Sequence, residues 1–292
     1  MSRRDVSIRY FGILTSLMLA VPGALRAESF DPLGYGAAAK AMGGAYTACV
    51  EDGSAAYWNP AGLAMMRRPQ ITSSTEDLYG LGLLRYSVIG YSHPGLGSGA
   101  AAFHYLRMET TGEANFLHYA ENTYLFAYGC PLWRNIFAGG NLKYHSINAD
   151  SRGAGFGGDA GLLYRNSSNR FRLGFTYRNL LQPKIRWDTS AEDVLPRSYH
   201  LGVGVRLGSA SQFTVEETWR QREKQAYAAG MQHLLMKKRL ALRAGVRRLE
   251  TDRQWRFSMG GGFRFARFNF DYAWENDDEL GDTQTLSLSY QF

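Results

Sequence analysis

Ten basic side chains fall on one parity of a long run of alternating segments: Lys143, Arg172, Arg178, Arg206, Arg243, Arg247, Arg256 and Arg264, with His145 and His200. In an extended chain, residues two apart share a face, so these ten would gather on one surface of a sheet. Glu216 and Asp271 fall on that same parity, while Glu51 and Asp52 lie upstream in a small-residue segment. Guanidinium groups collected on one surface can hold the carboxylate of an amphipathic ligand. They can equally pair with carboxylates of their own chain, which is the commoner use. Arg172, Arg178, Arg206, Arg243, Arg256, Arg264 and His200 form the candidate anion-binding set. The six histidines show no metal-ligand spacing, and no Ser or Cys stands in a nucleophile motif. No catalytic residue, metal or cofactor is proposed, and the chain is expected not to be an enzyme.

The elements that would position these residues are strands. From about residue 68 onward large apolar residues alternate with polar or small ones, most plainly in Trp255 to Phe265, where Trp255, Phe257, Met259, Phe263 and Phe265 share one face. Fourteen such segments are expected near 69–78, 83–93, 98–108, 120–130, 136–146, 156–166, 169–179, 197–207, 211–220, 225–235, 239–248, 254–265, 267–275 and 283–292. Each has about the 9–11 residues a tilted strand needs to cross a bilayer. The connections alternate between short and mostly longer, more polar ones, as expected when one end of a barrel carries turns and the other loops. The charged face would ruin a soluble core, because unpaired buried charge is costly. Turned toward a hydrated or plugged lumen, with the aromatic face on lipid, the same pattern is favourable. The expected fold is therefore all-β: a 14-stranded antiparallel transmembrane β-barrel, residues 68–292, with outer-membrane lipid as its surroundings. The pI near 9.4 does not imply nucleic acid, because the arginines are spread across many strands.

The N-terminus has a different composition. Arg3, Arg4 and Arg9 precede an apolar stretch and small residues ending at Ala27, the order of a secretory signal peptide over residues 1–27. Residues 28–67 are rich in small side chains and cannot form a core alone, so they are expected to pack inside the barrel as a hatch, or plug, containing short helices. Pro60 is expected to pre-set a turn there, and Gly43, Gly44 and Gly62 to allow close approach to the wall. Cys49 and Cys130 stand in no ligand spacing and read as small buried residues, with one disulfide as the alternative.

Gly43-Gly44-Ala45-Tyr46, followed by Trp58-Asn59-Pro60-Ala61-Gly62-Leu63, resembles the N-terminal signature of the FadL-like superfamily of outer-membrane proteins. It is most similar to the smaller PorV/PorQ-type members. Asn179-Leu180, then Leu195-Pro196-Arg197, adds a second likeness. At the other end Leu286, Leu288, Tyr290 and the terminal Phe292 resemble the signal read by the barrel-assembly machinery, which would then be a partner. The resemblance implies a barrel plugged by its N-terminal hatch and passive uptake of hydrophobic or amphipathic small molecules such as fatty acids. The PorV-type relatives imply the alternative, a partner of secretion or envelope proteins. Gly97 and Gly99 precede the third strand, where FadL opens its wall. The external loops are too small for the apolar insertions that capture a fatty acid, with Leu180, Leu181, Ile185 and Trp187 a partial substitute.

Overall fold

The computed structural model describes residue 30 and residues 33–221, 225–249 and 254–292. The expected signal peptide lies outside the described residues. Sixteen antiparallel strands follow in order: β1 (Gln70–Asp77), β2 (Leu84–Leu96), β3 (Gly99–Thr110), β4 (Ala120–Trp133), β5 (Ile136–Asn148), β6 (Arg152–Arg165), β7 (Phe171–Leu181), β8 (Lys184–Trp187), β9 (Glu192–Val194), β10 (Ser198–Leu207), β11 (Ser211–Arg220), β12 (Ala226–Leu235), β13 (Leu240–Leu249), β14 (Trp255–Phe265), β15 (Phe268–Glu275) and β16 (Thr283–Gln291). β7 pairs directly with β10, leaving β8 and β9 as a side hairpin. The other fourteen close on themselves: β5 pairs with β6, and β1 meets β16 from Gln70↔Gln291 to Asp77↔Gln284. Closure removes the two end edges that an open fourteen-stranded sheet would leave to lipid.

Every one of the fourteen expected segments coincides with one of these strands. The alternation decides their orientation: Phe126, Leu142, Phe156, Phe257 and Leu286 are exposed on the outer wall, while Gln70, Asn141, Asp159, Arg172 and Glu216 are buried inside. Two details differ from the sequence reading. β5 and β6 run on to Asn148 and back from Arg152, so the expected long connection there is only residues 149–151.

The connection expected as one polar loop, Leu180 to Pro196, contains the β8–β9 hairpin. β7 leaves β6 after the Gly158↔Leu181 pair, and β8 takes the vacated edge at Gly153↔Trp187 and Ala154↔Arg186. The inward faces of Gly155 and Gly157 accept Lys184, Ile185 and Pro183 where any side chain would collide. Ile185 is fully buried as a result.

Short connections gather at one end of the barrel: residues 97–98, 134–135, 166–170, 208–210, 236–239 and 266–267. The opposite end carries the remaining connections, among them 111–119, 182–197 and 276–282. β3 is paired without interruption from Ala100 to Glu109 on both sides, so Gly97 and Gly99 open no gap there, although the register of β2 shifts between Pro94 and Leu96, opposite Gly99.

Candidate functional site

The lumen holds residues 33–66, whose small side chains let their backbone reach the wall. Two four-residue helices, α1 (Ala37–Lys40) and α2 (Ala55–Trp58), are followed by a 3-10 helix over Pro60–Met65. Pro60 opens that helix at a position where its missing N–H is no loss. Asn59 caps it, accepting from the Ala61 N–H at 3.2 Å. The same side chain donates to the Thr47 carbonyl at 3.0 Å and to the Leu162 carbonyl of β6 at 3.1 Å, tying the segment to itself and to the wall. Tyr35, Tyr46, Tyr57 and Trp58 pack edge to face around this core, and Trp58 Nε1 donates to the Tyr35 carbonyl at 3.0 Å.

The wall meets this segment with glycines. A side chain at Gly139 or Gly161 would collide with Asn59 and Pro60, at Gly174 or Gly202 with Thr47 and Ala48, and at Gly230 or Gly245 with Met42 and Gly43. Gly43, at φ +65°, comes against the Val246 backbone of β13 as expected. Gly44 instead faces Trp58, and Gly62 packs on Val50 within the segment, so neither provides the expected approach to the wall. Ala45, Ala61 and Leu63 are fully buried.

Ion pairs complete the attachment. Lys40 Nζ lies 2.7 Å from Glu76 of β1, and both side chains are buried. Glu51 bridges Arg172 of β7 and Arg206 of β10, the latter at 2.6 Å. Burial pushes the Glu51 carboxyl up, but the two guanidinium groups outweigh it and hold it below the usual carboxylate range. Glu216 of β11 accepts the backbone N–H groups of Tyr46 (3.0 Å) and Thr47 (2.9 Å), and His200 Nδ1 lies 3.1 Å away. Burial raises Asp52 against the hydrogen bonds it receives from Ser54.

The candidate anion-binding residues thus divide. Arg172, Arg206 and His200 gather around the segment's own anchors. Arg243 pairs with Asp271 at 2.7 Å and Arg256 with Asp277 at 3.0 Å. Arg264 stands exposed near the short-turn end, donating to Asn269 at 2.7 Å. Arg178 lies over the rings of Tyr57 and Trp58, at 4.5 and 5.4 Å from their centroids. Lys143 pairs with Asp159 at 2.7 Å, and His145 meets Thr123 at 2.9 Å.

Sequence reasoning missed Lys40, Glu76 and the wall serines that accept from the segment's backbone: Ser287 from Ala37 N–H at 2.8 Å and Ser258 from Gly43 N–H at 3.0 Å. Parity alone would have put all three wall residues inward. Cys49 is buried in the lumen segment and Cys130 half-buried on β4, both as free thiols, and burial pushes the Cys49 thiol up to about 12.

Two neighbouring spaces border residues 33–66. A polar cavity of about 660 Å³ opens at the short-turn end, bounded by Glu51, Asp52, Arg206, Arg243 and Asp271 deep inside and by the turns at its mouth. A seam of about 50 Å³ lies beside it between α1 and the inner faces of β1 and β16, with Ala38, Asp52, Gln70, Asp271 and Ser289 lining both.

Solved structures share this architecture. One described as the CymD monoaromatic hydrocarbon channel is 13% identical, covering 90% of this chain and 99% of its own, with a TM-score of 0.70. The toluene transporter TbuX of Ralstonia pickettii is 11% identical over 90% of this chain and 100% of its own, at 0.64. A Pseudomonas aeruginosa FadL homologue is 12% identical over 88% and 97%, also at 0.64. The comparison with curated proteins returned no match. A closed barrel of fourteen strands with an apolar outer wall and a charged, occupied lumen is an outer-membrane β-barrel of FadL-like fold. The chain belongs to the family of type IX secretion system membrane proteins PorP/SprF, whose model matches residues 137–291, more than half of the 292-residue chain.

Proposed function

We propose that this barrel is a passive conduit for small hydrophobic or amphipathic molecules across the outer membrane, with residues 28–67 as its hatch. The observation that carries the reading is the seam beside α1. It lies beside the open cavity, where the small residues Gly36 to Ala39 of the hatch, with Tyr35, Asp52 and Ser54 at its sides, face Thr72, Ser73 and Ser74 of β1 and Ser287 and Ser289 of β16. A modest displacement of α1 would widen it without breaking an ion pair other than Lys40–Glu76. The solved barrels of the same fold are described as channels for monoaromatic hydrocarbons and toluene, which is consistent with this reading.

Ala41 of the hatch and Ala273 of β15 belong to one buried cluster, and the paired substitution Ala41→Cys/Ala273→Cys offers a reversible tether. In membranes with an outer lipopolysaccharide leaflet, entry of labelled toluene or decanoate above that of protein-free membranes is expected to stop when the pair is oxidised and to resume on reduction. Absence of entry in the reduced and unsubstituted protein alike would remove the passage reading.

A second reading, a PorV/PorQ-like outer-membrane partner acting in secretion or envelope assembly, is favoured by the family's description and by the uninterrupted pairing of β3. It becomes the leading one if no entry is measured. In either case the C-terminal strand is read as the segment handed to the barrel-assembly machinery.

A further inference from the structure

The charges of this barrel are segregated along its axis. None of the six short connections contains a carboxylate, nor does Arg67-Arg68-Pro69 ahead of β1. Those same segments supply Arg134, Arg170, Arg267 and the run Lys237-Lys238-Arg239, all exposed and, among the described residues, without a carboxylate partner. The opposite end is mixed and locally acidic, with Asp188, Glu192 and Asp193 in one connection and Asp277, Asp278, Glu279 and Asp282 in another. Arg170, Lys238, Arg239 and Arg264 also form the mouth of the 660 Å³ cavity. Deeper in, Arg206 shares Glu51 with Arg172, and Arg243 pairs with Asp271. The mouth cations are left facing water.

We infer that the short-turn end, which in outer-membrane barrels faces the periplasm, is a docking surface for an acidic polypeptide segment whose carboxylates lie across the ring of cations and whose tip enters the cavity. The charges sit on separate turns, those after β4, β6, β12 and β14, and so offer successive contacts to one extended chain. The four at the mouth line the same cavity as Arg206 and Arg243, and so border the lumen. A surface whose turns carry cations and no acidic side chain raises the local concentration of an acidic partner and discriminates against basic ones. This inference goes beyond the passage of hydrophobic molecules and stands without it.

The test uses the full barrel in nanodiscs of zwitterionic phosphatidylcholine and a fluorescein-labelled deca-glutamate peptide, read by anisotropy. Binding is expected at low salt and should fall steeply as the ionic strength is raised, since exposed charges are screened within roughly 10 Å at 0.1 M. The triple variant Lys238→Gln/Arg239→Gln/Arg264→Gln is expected to bind about tenfold more weakly. A triple that removes three positive charges from the opposite end, Arg152→Gln/Lys184→Gln/Arg186→Gln, should bind like the unsubstituted protein. Folding of each is checked by heat-modifiable migration. No binding, or equal weakening by the two triples, overturns the inference. Selective retention of phosphatidylglycerol by a barrel that ignores the peptide also overturns it, assigning the cations to the lipid rim.

Discussion

Glu51 shows how single residues hold this lumen. Its partner Arg172 is only 1% exposed, so removing the carboxylate leaves a buried guanidinium with Asn169 and the Cys49 carbonyl but no counter-charge, whereas Arg206, partly in water, loses little. Glu51→Gln is expected to weaken the attachment of residues 33–66 by about 2 kcal/mol, seen as faster proteolysis of that segment in a barrel that still migrates as folded. The pH dependence follows from the two anchoring charges on the segment. Glu51 is held below its ordinary 4.5, so its contribution is present above the unfolded value and is lost as pH falls through the lowered one. Burial pushes Lys40 down, but Glu76 outweighs it and raises the ammonium above its ordinary 10.5. That contribution is present below the unfolded lysine value and is lost as pH rises beyond the raised one. Protease resistance of the segment should therefore hold between these limits and decline at both extremes; equal resistance at pH 3 and pH 7 would refute the role given to Glu51.

At the scale of elements, the glycines of the wall do what no residue of the lumen segment could do alone. The segment's backbone needs direct contact with the inner faces of β5, β6, β7 and β10, and a methyl group at Gly139 would overlap Pro60. Gly139→Ala should cost about 1–3 kcal/mol of overpacking and release the segment, again measured by limited proteolysis. Gly261 points to the outer wall with its nearest neighbour at 3.7 Å, so Gly261→Ala should leave both barrel and segment unchanged. Strands were legible in the sequence because alternation of aromatic and polar residues survives errors of a residue or two at each end. The glycine contacts were not, since a glycine on the polar parity looks the same whether it faces water or a packed backbone. Gly62 misled for the same reason: close approach was expected, but its neighbour is Val50 rather than the wall. The partners of the arginines were hidden too, because pairing depends on register between strands, which parity does not supply. The four-residue β8 was too short for its alternation to show, and its burial depends on glycines thirty residues upstream.

The whole molecule is completed at the β1–β16 junction, which joins the two ends of the barrel sequence and so carries the largest loop-closure cost of any pairing. Phe292 sits at this junction. Its N–H donates to the Pro69 carbonyl at 3.0 Å, and its ring lies edge to face with Tyr290 at 5.0 Å and Tyr91 of β2 at 6.5 Å. The terminal aromatic thus bridges β16 to β2 across β1. Loss of these ring contacts in Phe292→Ala should lower stability by about 1 kcal/mol, and the same loss should follow from Tyr91→Ala, which leaves the C-terminal sequence intact. The two substitutions separate packing from recognition. If Phe292 is also read by the assembly machinery, Phe292→Ala alone should sharply reduce the fraction of chains reaching the folded, heat-modifiable form in cells, while Tyr91→Ala should change only the melting temperature. Equal assembly yields for both would restrict Phe292 to closing the barrel.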